Sequence, residues 1–124
     1  MSFIKANLES IKERITQAAK ACDRSPSDIQ LLAVSKTFPA EDIRTCFENG
    51  QRAFGENYVQ EGVAKIAALQ DLRTQIAWHF IGPLQRNKSR DVAENFDWVH
   101  SIDRLKIAQR LNDQRPPKIG RAHV

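Results

Sequence analysis

The sequence predicts an α/β fold in which short parallel strands alternate with helices. Four short apolar or aromatic stretches, each followed by polar or turn residues, are typical of strands. They begin the segments 31–37, 53–57, 78–83 and 98–101. Each interval between them has room for one helix, as in the strand–helix units of a parallel sheet.

The segments around these strands carry helix signals. Pro39, with Glu41 and Asp42 in the first turn, predicts a helix that Asn49–Gly50 closes. A longer helix is predicted over 56–72, a shorter one over 87–95, and a last one with Asp103 as N-cap. The first helix, which ends at 24–26, and the 56–72 helix are each predicted from an apolar face. The apolar face of the first helix is Ile4, Leu8, Ile11, Ile15, Ala18 and Cys22. The apolar face of the 56–72 helix is Val59, Val63, Ile66 and Leu69, and Lys65 is expected to lie away from it.

Length, hydrophobic content and charge limit the classes of protein to which the chain can belong. With 124 residues and 41% hydrophobic residues the chain is long enough for one domain with a core. It has neither a bilayer-length apolar run nor a secretory segment, so we expect a cytoplasmic protein without a membrane partner. The net charge is +4, but the basic cluster at 86–90 has no interleaved aromatic residues, so we expect no nucleic-acid partner.

Lys36 is the strongest candidate for a functional residue. The apolar segment Leu31–Val34 predicts a buried strand that delivers Lys36 to its carboxyl end. An amine in apolar surroundings is disfavoured as a cation, which favours the neutral nucleophile that condenses with an aldehyde such as pyridoxal phosphate to form a Schiff base. Taken alone, the segment is also compatible with an ordinary solvated lysine at a strand end.

Several motifs together resemble one family. The segments are LLAVSKT at 31–37, FGENYVQE at 54–61, WHFIGPLQRNKSR at 78–90 and SIDRLKIAQRLN at 101–112. In order and spacing they resemble the YggS/PROSC family of pyridoxal phosphate homeostasis proteins over nearly all of 1–117. The resemblance implies a partial TIM (β/α)8 barrel similar to the amino-terminal domain of alanine racemase. About four of the eight strands would be present, preceded by an amphipathic helix, with pyridoxal 5'-phosphate attached to Lys36 at the carboxyl ends of the strands.

Three further residues are candidates for the cofactor site. Asn57 would hydrogen-bond the cofactor's ring hydroxyl or the Schiff base, or would instead cap the next helix. His79 would approach the cofactor ring, or would instead face the outer helices. Val34, two residues before Lys36, would line the barrel interior. His79 and His100 are also candidates for an acid/base pair, against a structural role as hydrogen-bonded strand residues.

The resemblance implies cofactor binding in vitamin B6 homeostasis without established turnover, with apo-enzymes as candidate recipients. The alternatives are a racemase-like enzyme whose acid/base residues lie in the missing half, and a protein-interaction role. Residues 1–117 would be the amino-terminal half of the barrel. The groups that bind the cofactor's phosphate would lie in the other half, so we expect this chain to be inactive or to bind the cofactor weakly. Residues 118–124 do not continue the family pattern and are predicted to be a non-native tail.

Overall fold

A computed structural model describes residues 3–102 and 105–117, in which helices and strands alternate. The helices are α1 (Ile4–Ala21), α2 (Ala40–Glu48), α3 (Val59–Ala68), α4 (Ser89–Asn95) and α5 (Leu105–Gln114). The strands are β1 (Ala33–Val34), β2 (Ala53–Glu56), β3 (Ala77–Phe80) and β4 (Trp98–Val99). The predicted α/β class is therefore confirmed, whereas the predicted N-cap Asp103 and the tail at 118–124 lie outside the described residues.

The four strands form one parallel sheet in the order β1-β2-β3-β4. Its register sets Val34 opposite Gly55, Gly55 opposite His79, and His79 opposite Trp98. Strands that follow one another in space as they do in sequence, each joined to the next through a helix, are consistent with the predicted partial barrel.

The core lies between the sheet and the helices. Phe54, Trp78 and Phe80 point to this side of the sheet and are fully buried with Phe96. The rings of Phe80 and Phe96 meet edge to face at 5.4 Å between centroids. Since side chains alternate along a strand, residues 34, 55, 79 and 98 lie on the opposite face, which we call the inner face.

A polar cluster closes the amino-terminal end of the sheet. The Asp97 carboxylate accepts hydrogen bonds from the Trp78 N–H at 3.0 Å, from Arg73 at 2.9 and 3.0 Å, and from Arg115 at 3.1 Å. Burial opposes ionisation of Asp97, but these donors and the charge of Arg73 outweigh it, so the pKa of Asp97 lies below its usual value.

The predicted buried strand at 31–34 is wrong in two respects. Only Ala33–Val34 pairs with β2, and the Val34 side chain is 48% exposed. The physical reason is its place in the sheet: β1 is an edge strand, and Val34 lies on the inner face, away from the helices.

The helix predicted over 56–72 is shorter than expected. Glu56 still belongs to β2, Tyr58 is extended, and α3 runs over Val59–Ala68 before a 3₁₀ turn at Gln70–Leu72. The expectation that Lys65 lies away from the packed face is wrong, because its side chain is buried against β2. A hydrophobicity pattern misses this contact because the buried partner is a carboxylate.

The apolar stripe of α1 is only partly buried. Leu8 is buried, Ile11 is exposed, and near the end of the helix Ala19 is buried whereas Ala18 and Cys22 are exposed. In the described part of the chain no helix, α1 included, is long and apolar enough to cross a membrane.

Candidate functional site

Lys36 lies in a tight turn directly after β1. The turn is closed by the Phe38 N–H, which donates to the Ser35 carbonyl oxygen at 3.1 Å, so that Lys36 and Thr37 are its two central residues. Lys36 is exposed. The expectation of apolar surroundings for its amine is therefore wrong in this chain, for the same reason that Val34 is exposed: the inner face beside the turn is uncovered.

A buried polar cluster lies beneath this turn. Lys65 Nζ is 3.0 and 3.2 Å from the two carboxylate oxygens of Glu56, and it donates to the Ser35 carbonyl oxygen at 2.6 Å. The Ser35 hydroxyl donates to Glu56. On the outer side, Glu61 lies 3.2 Å from Lys65 Nζ and accepts the Thr37 N–H at 2.7 Å. We call Ser35, Glu56, Glu61 and Lys65 the turn cluster.

The sequence interpretation did not identify the turn cluster as part of the site. A signal was present, since Glu56 ends a strand and Lys65 lies on the helix that follows it. A charged residue at the end of a buried strand needs a nearby partner.

The inner face carries an aromatic group on β3 and β4. The rings of His79 and Trp98 stack at 5.3 Å with 3° between their planes, and His79 Nδ1 lies 2.9 Å from His100 Nε2, so one of the two imidazoles donates to the other. His79 therefore faces away from the helices, and it flanks Gly55 on one side as Val34 does on the other.

Asn57 follows β2 at the same end of the sheet. Its Oδ1 is buried and accepts no hydrogen bond from the described residues, so Asn57 does not cap α3. Gly82, in the loop after β3, packs so closely on the Asn57 backbone that a Cβ there would overlap the Asn57 carbonyl. Since β1 and β2 are parallel neighbours, Lys36 and Asn57 both lie just beyond the carboxyl ends of adjacent strands.

Cavities lie at both ends of the strands. A cavity of about 350 Å³ adjoins Asn57 and is lined also by Tyr58, Phe80 and Lys88. A larger one of about 810 Å³ lies at the opposite end of the strands, around Ala77 and Asp97. Ligands of parallel α/β folds bind at the carboxyl ends of the strands, which favours the smaller cavity's end of the sheet.

Among the described residues, no group of three or more His, Cys, Asp or Glu side chains is placed to hold a metal ion. The site has instead an exposed amine, a buried amide oxygen and a stacked imidazole. These groups suit a planar organic ligand with an aldehyde and hydrogen-bonding substituents.

The chain is similar to proteins of the predicted family. It is 60% identical to the pyridoxal phosphate homeostasis protein of Escherichia coli (strain K12) over 125 residues, which cover 100% of this chain and 53% of that protein. It is 57% identical to the protein of the same name from Vibrio alginolyticus over 121 residues, which cover 96% of this chain and 52% of that protein. No protein-family model matches the chain.

Solved structures give the same result. The chain is similar to PipY of Synechococcus elongatus PCC7942 with pyridoxal phosphate bound, at a TM-score of 0.67 and 46% identity over 81% of this chain and 47% of PipY. For PipY without the cofactor, the TM-score is 0.69, with 45% identity over 86% of this chain and 49% of PipY. The predicted family resemblance and the cofactor of that family are therefore confirmed, and the chain spans about half the length of the curated relatives it matches.

Proposed function

Since this chain resembles pyridoxal phosphate homeostasis proteins over about half their length, we propose that it is part of such a protein and holds pyridoxal 5'-phosphate as a Schiff base on Lys36, without turnover. The observation that carries the proposal is the position of Lys36, exposed in a turn at the carboxyl end of β1. An exposed amine is open to an aldehyde that arrives from solvent. When bound, the cofactor supplies the aldehyde and an electron-withdrawing ring.

The neighbouring residues fit this ligand. The buried Oδ1 of Asn57 has an unused acceptor position that suits the ring hydroxyl. The half-exposed Val34 offers an apolar contact, and the buried imidazole of His79, stacked on Trp98, lies across Gly55 from Val34 on the same face. In this proposal Lys36 binds the cofactor, Asn57 orients it, and Val34 and His79 contact its ring.

The arrangement of the histidines favours binding over catalysis. Racemisation needs an acid and a base on opposite faces of the substrate. His79 and His100 lie on the same inner face and hydrogen-bond to each other, so they do not form such a pair. Relatives named homeostasis proteins agree with a carrier. We expect apo-enzymes to receive the cofactor, and we expect the protein to act in the cytoplasm.

Borohydride trapping tests the proposal. The chain is mixed with pyridoxal phosphate, the absorbance band of the Schiff base is recorded, and the reduced adduct is located by peptide mapping. We expect the label at position 36 to be lost in Lys36→Ala together with most of the absorbance band, and both to be retained in Lys20→Ala, which removes an exposed lysine from α1. Label on other lysines with none on Lys36 would refute the proposal.

A racemase-like enzyme is the alternative, and proton exchange separates the two. Because the acid and base of that alternative would lie outside this chain, the assay uses a full-length relative: in deuterated water a carrier leaves the α-proton of added amino acids in place, whereas a racemase replaces it by deuterium. Exchange that depends on Lys36 would favour the enzyme.

A further inference from the structure

The turn that holds Lys36 is fixed at both ends by one group of side chains, of which Ser35, Glu56 and Lys65 are buried. Glu56 is 0% exposed and Lys65 is 6% exposed, and their charged atoms are 3.0 Å apart. Burying two charges removes both from water, and this cost exceeds their attraction unless further hydrogen bonds complete the site. The further hydrogen bonds of this pair go to Ser35, the residue before Lys36.

Ser35 is held at three atoms. Its N–H donates to the Gly55 carbonyl oxygen at 2.9 Å, its hydroxyl donates to Glu56, and its carbonyl oxygen accepts from Lys65 Nζ at 2.6 Å. The residue that precedes Lys36 therefore has its backbone donor, its backbone acceptor and its side chain all engaged.

Thr37, on the other side of Lys36, has an unusual backbone conformation. Its φ of 68° lies in the left-handed region, where a β-branched residue is strained and where turns usually place glycine. Such a conformation persists only where its surroundings hold it. Here Glu61 accepts the Thr37 N–H at 2.7 Å, and Lys65 lies 3.2 Å from the same carboxylate.

We propose that the turn cluster is a positioning device that fixes where the Lys36 side chain leaves the backbone; this inference rests on the proposed function. A cluster that only joined α3 to β2 would make its hydrogen bonds between those two elements. Two of its bonds instead reach the backbone on either side of Lys36, at the Ser35 carbonyl and the Thr37 N–H. Glu61 and Lys65 are thus positioning residues that act on the cofactor through the turn.

Glu61→Ala is the most informative variant. Alanine favours the helix, and Glu61 is 29% exposed, so α3 and the buried Glu56–Lys65 pair remain. The variant removes the acceptor of the Thr37 N–H. Glu61→Gln restores a neutral acceptor of the same shape. The matched control is Glu94→Ala, which also breaks an i,i+4 pair, with Arg90 on α4, but does not contact the turn.

The readout is the site of labelling. Each variant is treated with pyridoxal phosphate and borohydride, and the label on Lys36 is divided by the label on the exposed Lys106 of the same molecule. Thermal melts of all variants are recorded in parallel. In Glu61→Ala we expect the ratio to fall about tenfold, as for a misplaced reacting group. We expect it to recover at least partly in Glu61→Gln and to stay unchanged in Glu94→Ala.

Each outcome is decisive. A wild-type ratio that favours Lys36 and stays unchanged in Glu61→Ala overturns the positioning role and leaves the proposed function standing. A wild-type chain that does not favour Lys36 overturns both. If Glu61→Ala no longer melts cooperatively, hydrogen exchange at the Thr37 amide is measured instead in Glu61→Gln and in the wild type. Equal protection of this amide in both proteins supports the positioning role. An unprotected Thr37 amide in the wild type overturns it.

Discussion

Replacing Lys65 by methionine is expected to be among the most destabilising single changes in this fold. The substitution keeps the volume of the side chain but leaves the fully buried Glu56 carboxylate without its cation, and it removes a donor from the Ser35 carbonyl. Breaking a buried pair by removing one partner costs about 3–5 kcal/mol. With an m-value of about 2 kcal/mol per molar urea, the unfolding midpoint should fall by about 2 M.

A double-mutant cycle checks the cause of this loss. Glu56→Met with Lys65→Met removes both charges and should be less destabilising than Lys65→Met alone, because no unpaired charge stays buried. Some loss should remain, since the Ser35 hydroxyl loses its carboxylate acceptor. Glu94→Ala, which breaks the exposed pair with Arg90, should change the free energy of unfolding by less than about 1 kcal/mol. A double variant as unstable as the sum of its two single variants would refute the reasoning.

Three other predictions concern regions away from the turn. Asp97 has a lowered pKa in the folded chain, so it stabilises the fold above its ordinary pKa of 3.8, and this stabilisation is lost as the pH falls through the folded pKa. In urea unfolding, the difference in free energy of unfolding between Asp97→Asn and wild type should therefore shrink from pH 7 to pH 3. Gly82→Ala should destabilise the chain by about 1–3 kcal/mol, because its Cβ would overlap the Asn57 carbonyl; an unchanged thermal melt would contradict this. Burial, and secondarily the nearby carboxylate Asp42, raise the pKa of the Cys46 thiol, so iodoacetamide at pH 8 should modify the exposed Cys22 first, as measured by mass spectrometry.

The sequence predicted the order of the elements because each element has its own local signal. Pro39 and Asn49–Gly50 mark the ends of α2, and Gly50 adopts the positive φ of 100° that such an ending favours. The strand segments were recognisable because their apolar residues face a helix layer, as Trp78 and Phe80 do. Burial was predicted less well where it depends on neighbours: Val34 is apolar yet half-exposed, and Lys65 is charged yet buried.

The candidate site was predictable in part. Lys36 was identified from its place after β1, and Asn57 follows the neighbouring parallel strand β2 at the same end of the sheet. The support for Lys36 was not identified, because Glu61 and Lys65 reach the turn from a helix that begins some twenty residues later. Contacts between distant parts of the chain depend on how α3 packs on the sheet, and periodicity does not contain that information.

The alternation of side chains along β2 and β3 links the inner face to the turn cluster. Gly55 and His79 lie on the inner face. Glu56 follows Gly55 along β2, so its side chain must point toward the helices, where a carboxylate is tolerated only with a partner. Lys65 supplies that partner and, with a further hydrogen bond, reaches the Ser35 backbone. A neutral residue at position 56 would suit the helix layer better but would leave the turn unsupported. The buried charge of Glu56 on the helix side of the sheet is therefore best explained by the Lys36 amine, which the turn presents to the inner face.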